Sequence, residues 1–282
     1  MYEAEKRRLE VSAGVIEYTD AGCGPVLLFV HGVFVNGGLW RLVAPELEPD
    51  FRCIVLTLPL GAHAIPMRLD ADLSPLGLAK LLAEVIEKLE LRDVTLVGND
   101  TGGALCQLVI AHHAQRIARV VLTNCDAYEY FPPSSLVPVY LMARIPGSFR
   151  VLAAVLRSQR AQAMFFATVA KSKPDLAFLA DTFRTFLADR TIRRDLQKTL
   201  GAVSKRDTLE AAATFAAFRG RVLIVWGTDD LFFPVKIAER LARAFPNASL
   251  ELVEDCRTLV PQDSPMKLLS SIRAFAAAPA SV

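Results

Sequence analysis

Residues 94–103 read VTLVGNDTGG, and the helical pattern GALCQLVIAHHAQRI follows at once. An apolar strand that passes into a helix through a glycine-flanked turn lifts one side chain clear of the backbone, here Asp100. The form is G-x-S-x-G with a carboxylate in place of the hydroxyl. Gly98 and Gly102 hold the places where a strained turn and a close helix–strand approach leave no room for a side chain. The exchange alters the chemistry. A serine is inert until a base takes its proton, whereas a carboxylate with a reference pKa of about 3.9 is already ionised at neutral pH. The plainer alternative is that Asp100 only caps the following helix, a common task for aspartate.

Outward from this turn, short apolar runs alternate with longer helical patterns, the mark of an α/β fold with a mostly parallel sheet covered on both faces. Eight runs read as strands: RLEVS, GVIEYT, VLLFV, CIVLTL, VTLV, RVVLTN, RVLIVWG and SLELV. The first two lie close enough for an antiparallel hairpin around Ser12 to Gly14. Helical spacing is seen in DLSPLGLAKLLAEVIEKLEL, PVKIAERLARAF and PMKLLSSIRAFAA. From about Tyr130 to Arg219 no strand is expected. There a proline-rich lead-in, FPPSSLVP, precedes FRVLAAVLRSQRAQAMFFATVA, PDLAFLADTFRTFL and LEAAATFAAF, which read as a helical cap between two strands. The expected organisation is a core over 1–129, a cap over 130–219 and the rest of the core over 220–282.

The 282 residues are 52% hydrophobic with a formal net charge of +2, which suits one enzyme-sized domain and gives no basic field for nucleic acid. Apolar stretches such as PVLLFVHGVFV are too short and glycine-broken to span a bilayer, and MYEAEKRRLE is too charged for a secretory segment, so no membrane partner and a cytoplasmic location are expected. Cys23, Cys53, Cys106, Cys125 and Cys256 lack paired spacing and read as reduced thiols. The histidines and cysteines lack metal-ligand spacing, and neither GxGxxG nor GxxxxGK occurs, so no metal and no cofactor are expected.

The ordering of residues resembles the α/β-hydrolase superfamily over essentially the whole chain. The matching landmarks are HG at His31 and Gly32, the turn at Asp100, WGTDDLFFP after the seventh strand and DSP at the last helix. The resemblance implies an α/β-hydrolase fold with an eight-stranded sheet and a helical cap. It also implies oxyanion-hole amides at Val33 and Thr101, and an acid at Asp230, with Asp229 left as a turn residue. Turn chemistry after the strand is the plainer reading of both aspartates. Some relatives carry the acid after the sixth strand, where Asp126 is the alternative and Glu129 a more distant one. The usual catalytic histidine falls at Thr258, which cannot accept a proton near neutral pH.

Four histidines remain. His31 is usually structural in this superfamily, and His112 and His113 lie about three turns along the helix after Asp100. His63, in the loop after the fourth strand, is the one substitute base at the expected site edge. The turn also resembles that of haloalkane dehalogenases and epoxide hydrolases, in which aspartate attacks a saturated carbon and a His-activated water cleaves the ester. Thr101 and Val33 depart from those enzymes' halide-binding residues, and HGVF departs from HGxP. His31, Phe34, Asn36 and Tyr140 are expected at the substrate pocket, with Tyr140 a candidate polarising phenol and Tyr128 and Tyr130 nearby. Three readings stay open for a small, largely apolar substrate: a hydrolase with Asp100 as nucleophile, a cofactor-free one-step acid/base enzyme with Asp100 as base, and a binding protein without turnover. Relatives that dimerise through the cap or an edge strand put a homodimer among the expected assemblies.

Overall fold

The computed structural model describes residues 5–173 and 176–277. Pro174 and Asp175, which open one expected helix, and the two chain ends lie outside the described residues. Eight strands form one sheet in the order β1-β2-β4-β3-β5-β6-β7-β8. They are β1 (Lys6–Val11), β2 (Gly14–Ala21), β3 (Val26–Val30), β4 (Arg52–Thr57), β5 (Val94–Asn99), β6 (Ile117–Thr123), β7 (Arg221–Gly227) and β8 (Ala248–Val253). Strands β1 and β2 form the expected hairpin, with Val11 opposite Gly14, and β2 also runs antiparallel to β4. All other pairs are parallel. The central strands are buried along nearly their whole length, as a sheet covered on both faces requires.

The helices are α1 (Ala44–Leu47), α2 (Pro75–Lys88), α3 (Thr101–His112), α4 (Val137–Ala143), α5 (Ser148–Val155), α6 (Gln159–Val169), α7 (Leu176–Ala188), α8 (Arg190–Ala202), α9 (Lys205–Ala212), α10 (Val235–Ala244), α11 (Val260–Asp263) and α12 (Pro265–Ala277). One apolar layer packs α2, α3 and α10 against the sheet through residues such as Leu82, Leu108 and Leu241. The other joins β3 and β5 to α12 and to the inserted helices, and holds Phe29, Val97, Phe149, Phe183, Phe186 and Ile272. Burying side chains of this size stabilises each layer by roughly 1.5–3 kcal/mol per residue.

Among the described residues, the segment between β6 and β7 holds helices α4 to α9 and no strand. The expected continuous helix FRVLAAVLRSQRAQAMFFATVA is in fact two, because the chain turns at Leu156, Arg157 and Ser158 before α6. This insertion is tied to the sheet domain at three separated places. Asn36 Nδ2 donates to Asp181 at 2.8 Å, Arg194 Nη2 donates to the Met67 carbonyl at 2.7 Å, and Lys171 pairs with both Asp229 and Asp255.

Candidate active site

The turn between β5 and α3 is as tight as its glycines imply. A Cβ on Gly102 would run into the backbone oxygens of Val30 and His31, and one on Gly98 would meet Gly102 and Gly103. Asp100 sits between them at φ 54° and ψ −131°, a sparsely populated conformation for a residue with a side chain and one that costs on the order of 1–3 kcal/mol. The strain is held by Asp100 N–H donating to Asn124 O at 2.8 Å and by Gly103 N–H donating to Asp100 O at 3.0 Å.

The carboxylate does not cap α3 with a side-chain bond of the ordinary kind. Its Oδ2 accepts the Val33 amide at 3.1 Å, and the Thr101 amide also favours its charged form. The two amides expected to form an oxyanion hole thus both act on the Asp100 carboxylate, Val33 on its Oδ2. Gly32 makes the approach feasible, since a Cβ there would strike the carboxylate. Asp100 stays partly exposed. Burial nevertheless pushes its pKa up to about 7, against the pull of the two amides and with a further push from the Asp230 charge.

Asp126 is fully buried beside it. Its Oδ2 accepts the Thr101 hydroxyl at 3.1 Å, and its Oδ1 meets no hydrogen-bond partner. Desolvation first, and the Asp100 charge second, hold its carboxyl well above the usual range. The buried Tyr140 phenol completes this cluster: it lies near Thr101, Asp126 and Asp100, and burial raises its pKa well above the ordinary value.

Asp230 stands on the other side of the turn. Its Oδ1 accepts the amides of Phe232 at 2.7 Å and Phe233 at 3.1 Å, and its Oδ2 accepts Asn124 Nδ2 at 2.7 Å. Burial raises its pKa, while these partners and Thr258 oppose the rise. Thr258 is buried at 1% exposure, and its hydroxyl makes no well-aligned hydrogen bond. Its carbonyl is fastened to the turn by Asn99 Nδ2 at 2.7 Å. Asn99 and Asn124 are the residues that sequence reasoning missed. They bind Asp100's two flanking loops together, and the only local signal was a polar residue ending each of two buried strands.

The other expected residues divide. His31 is structural: Nε2 accepts the Leu58 amide at 2.9 Å, Nδ1 lies 2.8 Å from Gly32 O, and burial lowers its pKa to about 4. His63 is turned toward α8, where Nε2 lies 3.3 Å from Asp195 Oδ2. The same carboxylate also takes the Met67 amide and the Arg194 guanidinium. Its contacts therefore join the insertion to the sheet domain and do not include Asp100. Phe34 packs edge-on against Phe165 and Phe186 of the insertion, with ring centroids 5.3 and 5.2 Å away. Asn36 lines a cleft of about 680 Å³ with Thr57, Phe178, Asp181 and Arg184; Asp100 is not among its lining residues. Glu129 pairs with Arg240 at 2.8 Å, away from the turn. Among the described residues no three His, Cys, Asp or Glu side chains gather in a metal-holding group, and no helix is long and apolar enough to cross a membrane.

The sheet order, the strained turn and the amide pair define a class. A sequence model of the alpha/beta hydrolase fold matches residues 25–261, and the chain belongs to that family. Within it, the chain is 26% identical over 280 residues to haloalkane dehalogenase 2 of Mycobacterium tuberculosis (strain ATCC 25618 / H37Rv), covering 96% of this chain and 95% of that protein. It is 24% identical over 248 residues to a 2-hydroxy-6-oxononadienedioate/2-hydroxy-6-oxononatrienedioate hydrolase of Paraburkholderia xenovorans (strain LB400), covering 86% and 83%. The fold matches the crystal structure of haloalkane dehalogenase DbeA from Bradyrhizobium elkani USDA94 with a TM-score of 0.81, 18% identity and 97% of each chain covered.

Proposed function

We propose that this chain is a hydrolase of a small, largely apolar substrate in which Asp100 is the nucleophile and the insertion serves as the cap over it. The observation that carries this reading is the Val33 amide on Asp100 Oδ2 at 3.1 Å. With one oxygen held, the other is left to meet a reacting carbon. Similarity to a protein named haloalkane dehalogenase supports the same choice.

In the first step an Asp100 oxygen forms a bond to a saturated carbon while the bond to the leaving group breaks, and the leaving group departs with the electron pair. The ester that results keeps its carbonyl oxygen at the Val33 and Thr101 amides, placed to take charge when water attacks. That second step needs a proton acceptor, and Thr258 supplies none. The ester therefore outlives the first step. Intact mass after incubation with small alkyl bromides and epoxides is expected to show one alkyl addition, absent in Asp100→Asn.

One observation favours a second reading. A carboxyl with a pKa of about 7 is poised as a one-step general base at neutral pH. Single turnover in ¹⁸O-water separates the two: a nucleophile acquires the label in its own carboxylate, whereas a base sends it directly into product. Turnover with no adduct and no label in Asp100 would overturn the nucleophile, and neither adduct nor turnover would leave a binding protein.

A further inference from the structure

The outer face of the insertion differs from the rest of the surface. Among the described residues fourteen large hydrophobic side chains are exposed, and seven of them fall within residues 137–176. They include Leu141 at 53%, Ile145 at 59%, Val151 at 66%, Val155 at 57% and Met164 at 73% exposure. The same stretch is one-sided in charge. Residues 130–174 contain no aspartate or glutamate, yet carry Arg144, Arg150, Arg157, Arg160, Lys171 and Lys173. All four arginines are exposed, and Arg144 gives its Nε to the Gly201 carbonyl at 3.3 Å.

Helix α5 shows how the face is built. Phe149 and Ala153 turn inward and are buried, while Arg150, Val151, Ala154 and Val155 form one exposed side. On α4, Tyr140 and Ala143 are buried and Leu141 is exposed, with Arg144 and Ile145 exposed just beyond the helix. The two helices pack on each other and both rest on α8, so their outer sides adjoin. Aliphatic groups left in water are costly, and clustered ones mark a contact surface.

Charge decides what the contact is. A second copy seated on the same face about a twofold axis would set its Arg144 and Arg150 guanidiniums close to like charges. Nucleic acid would neutralise the arginines but leave the aliphatic side chains wet. An anionic bilayer surface meets both demands: phosphates take the guanidiniums at headgroup depth, and Leu, Ile and Val enter the acyl boundary. We infer that the α4–α5 face of the insertion docks on the surface of membranes containing anionic lipid. The contact is peripheral, lying on the bilayer without crossing it, and it revises the expectation of no membrane partner.

Flotation with vesicles of phosphatidylcholine alone, and with one-quarter phosphatidylglycerol, tests this. The protein is expected to float with the anionic vesicles at low salt, to be released at high salt, and to stay behind with the neutral ones. Arg150→Glu with Arg157→Glu should weaken binding by roughly fivefold or more per charge. Val151→Ser with Val155→Ser, which keeps every charge, should weaken it several-fold. Thermal unfolding of both variants checks that these surface changes leave the fold intact. Failure to float with anionic vesicles would overturn the inference. So would serine variants that bind unchanged and are competed off by duplex DNA, or a dimer in light scattering that the serine variants dissolve.

Discussion

On the proposed function, the Asp100 turn and the loop after β8 hold opposite halves of one reaction geometry. The β5–α3 turn has kept every part: a strained Asp100, glycines that admit its neighbours, and an amide at 3.1 Å on one oxygen. The loop after β8 has kept its place but lacks the reactive group. The Thr258 backbone is still fastened by Asn99, and Asp230 is still braced by two amides and Asn124. What is absent there is an imidazole between them. On the proposed reading, attack and hydrolysis are separable in this chain, because the first draws on backbone geometry and the second on one side chain.

The largest change comes from removing the intact half. Asp100→Asn is expected to abolish adduct formation, by about 10³-fold or more, measured by intact mass. It should also stabilise the protein. The folded-state pKa of Asp100, about 7, lies above its ordinary 3.8. Ionised Asp100 thus costs stability, a cost that grows as pH rises from about 4 to about 7 and is constant above. At pH 8 the asparagine variant should gain roughly 1–3 kcal/mol, and at pH 4 almost nothing. Equal adduct yield in the variant would break the comparison at its stronger end.

Repairing the empty half comes next. Thr258→His should speed loss of the adduct by about 10²-fold, the usual contribution of a placed base, followed as decay of the alkylated mass. Decay no faster than in the parent protein would mean that the β8 loop no longer points at the ester. The pH profile sharpens the contrast further. Adduct formation should be half-maximal near pH 7 and fall about tenfold per pH unit below, since only the carboxylate attacks. A flat profile down to pH 5 would place the carboxyl in an environment open to water. The smallest effect on chemistry is expected at His63→Ala, which withdraws a partner from the buried Asp195. Stability should drop by about 1–2 kcal/mol while the adduct rate holds within about twofold; a large rate loss would make His63 part of the reaction.

The sheet was legible because its signal is local. Buried strands such as VLLFV and RVLIVWG are short, apolar and bounded by turns, and the helices between them repeat at three and four. The α5–α6 break was not legible, since Leu156, Arg157 and Ser158 include neither glycine nor proline. At the site, Asp100 could be read from glycine placement, because close backbone approach leaves a mark in sequence, whereas Val33 came from the family resemblance alone. Asn99, Asn124 and Asp195 could not be read. Their partners lie far away in the chain, 159 residues for Asn99 with Thr258 and 132 for His63 with Asp195, and no periodicity encodes such pairs. Asp126 was read as an alternative acid in the loop after the sixth strand, but its turn toward Thr101 depended on packing that only the fold supplies.

Two of the ties between insertion and sheet are not alike. Lys171 meets Asp229 and Asp255 in the open, with Asp255 at 85% side-chain exposure, whereas Asp195, joined to His63 and Arg194, is wholly enclosed. Dissolved ions loosen the first and barely reach the second. Raised ionic strength therefore weakens the insertion's attachment at its wet edge and leaves the enclosed one in place.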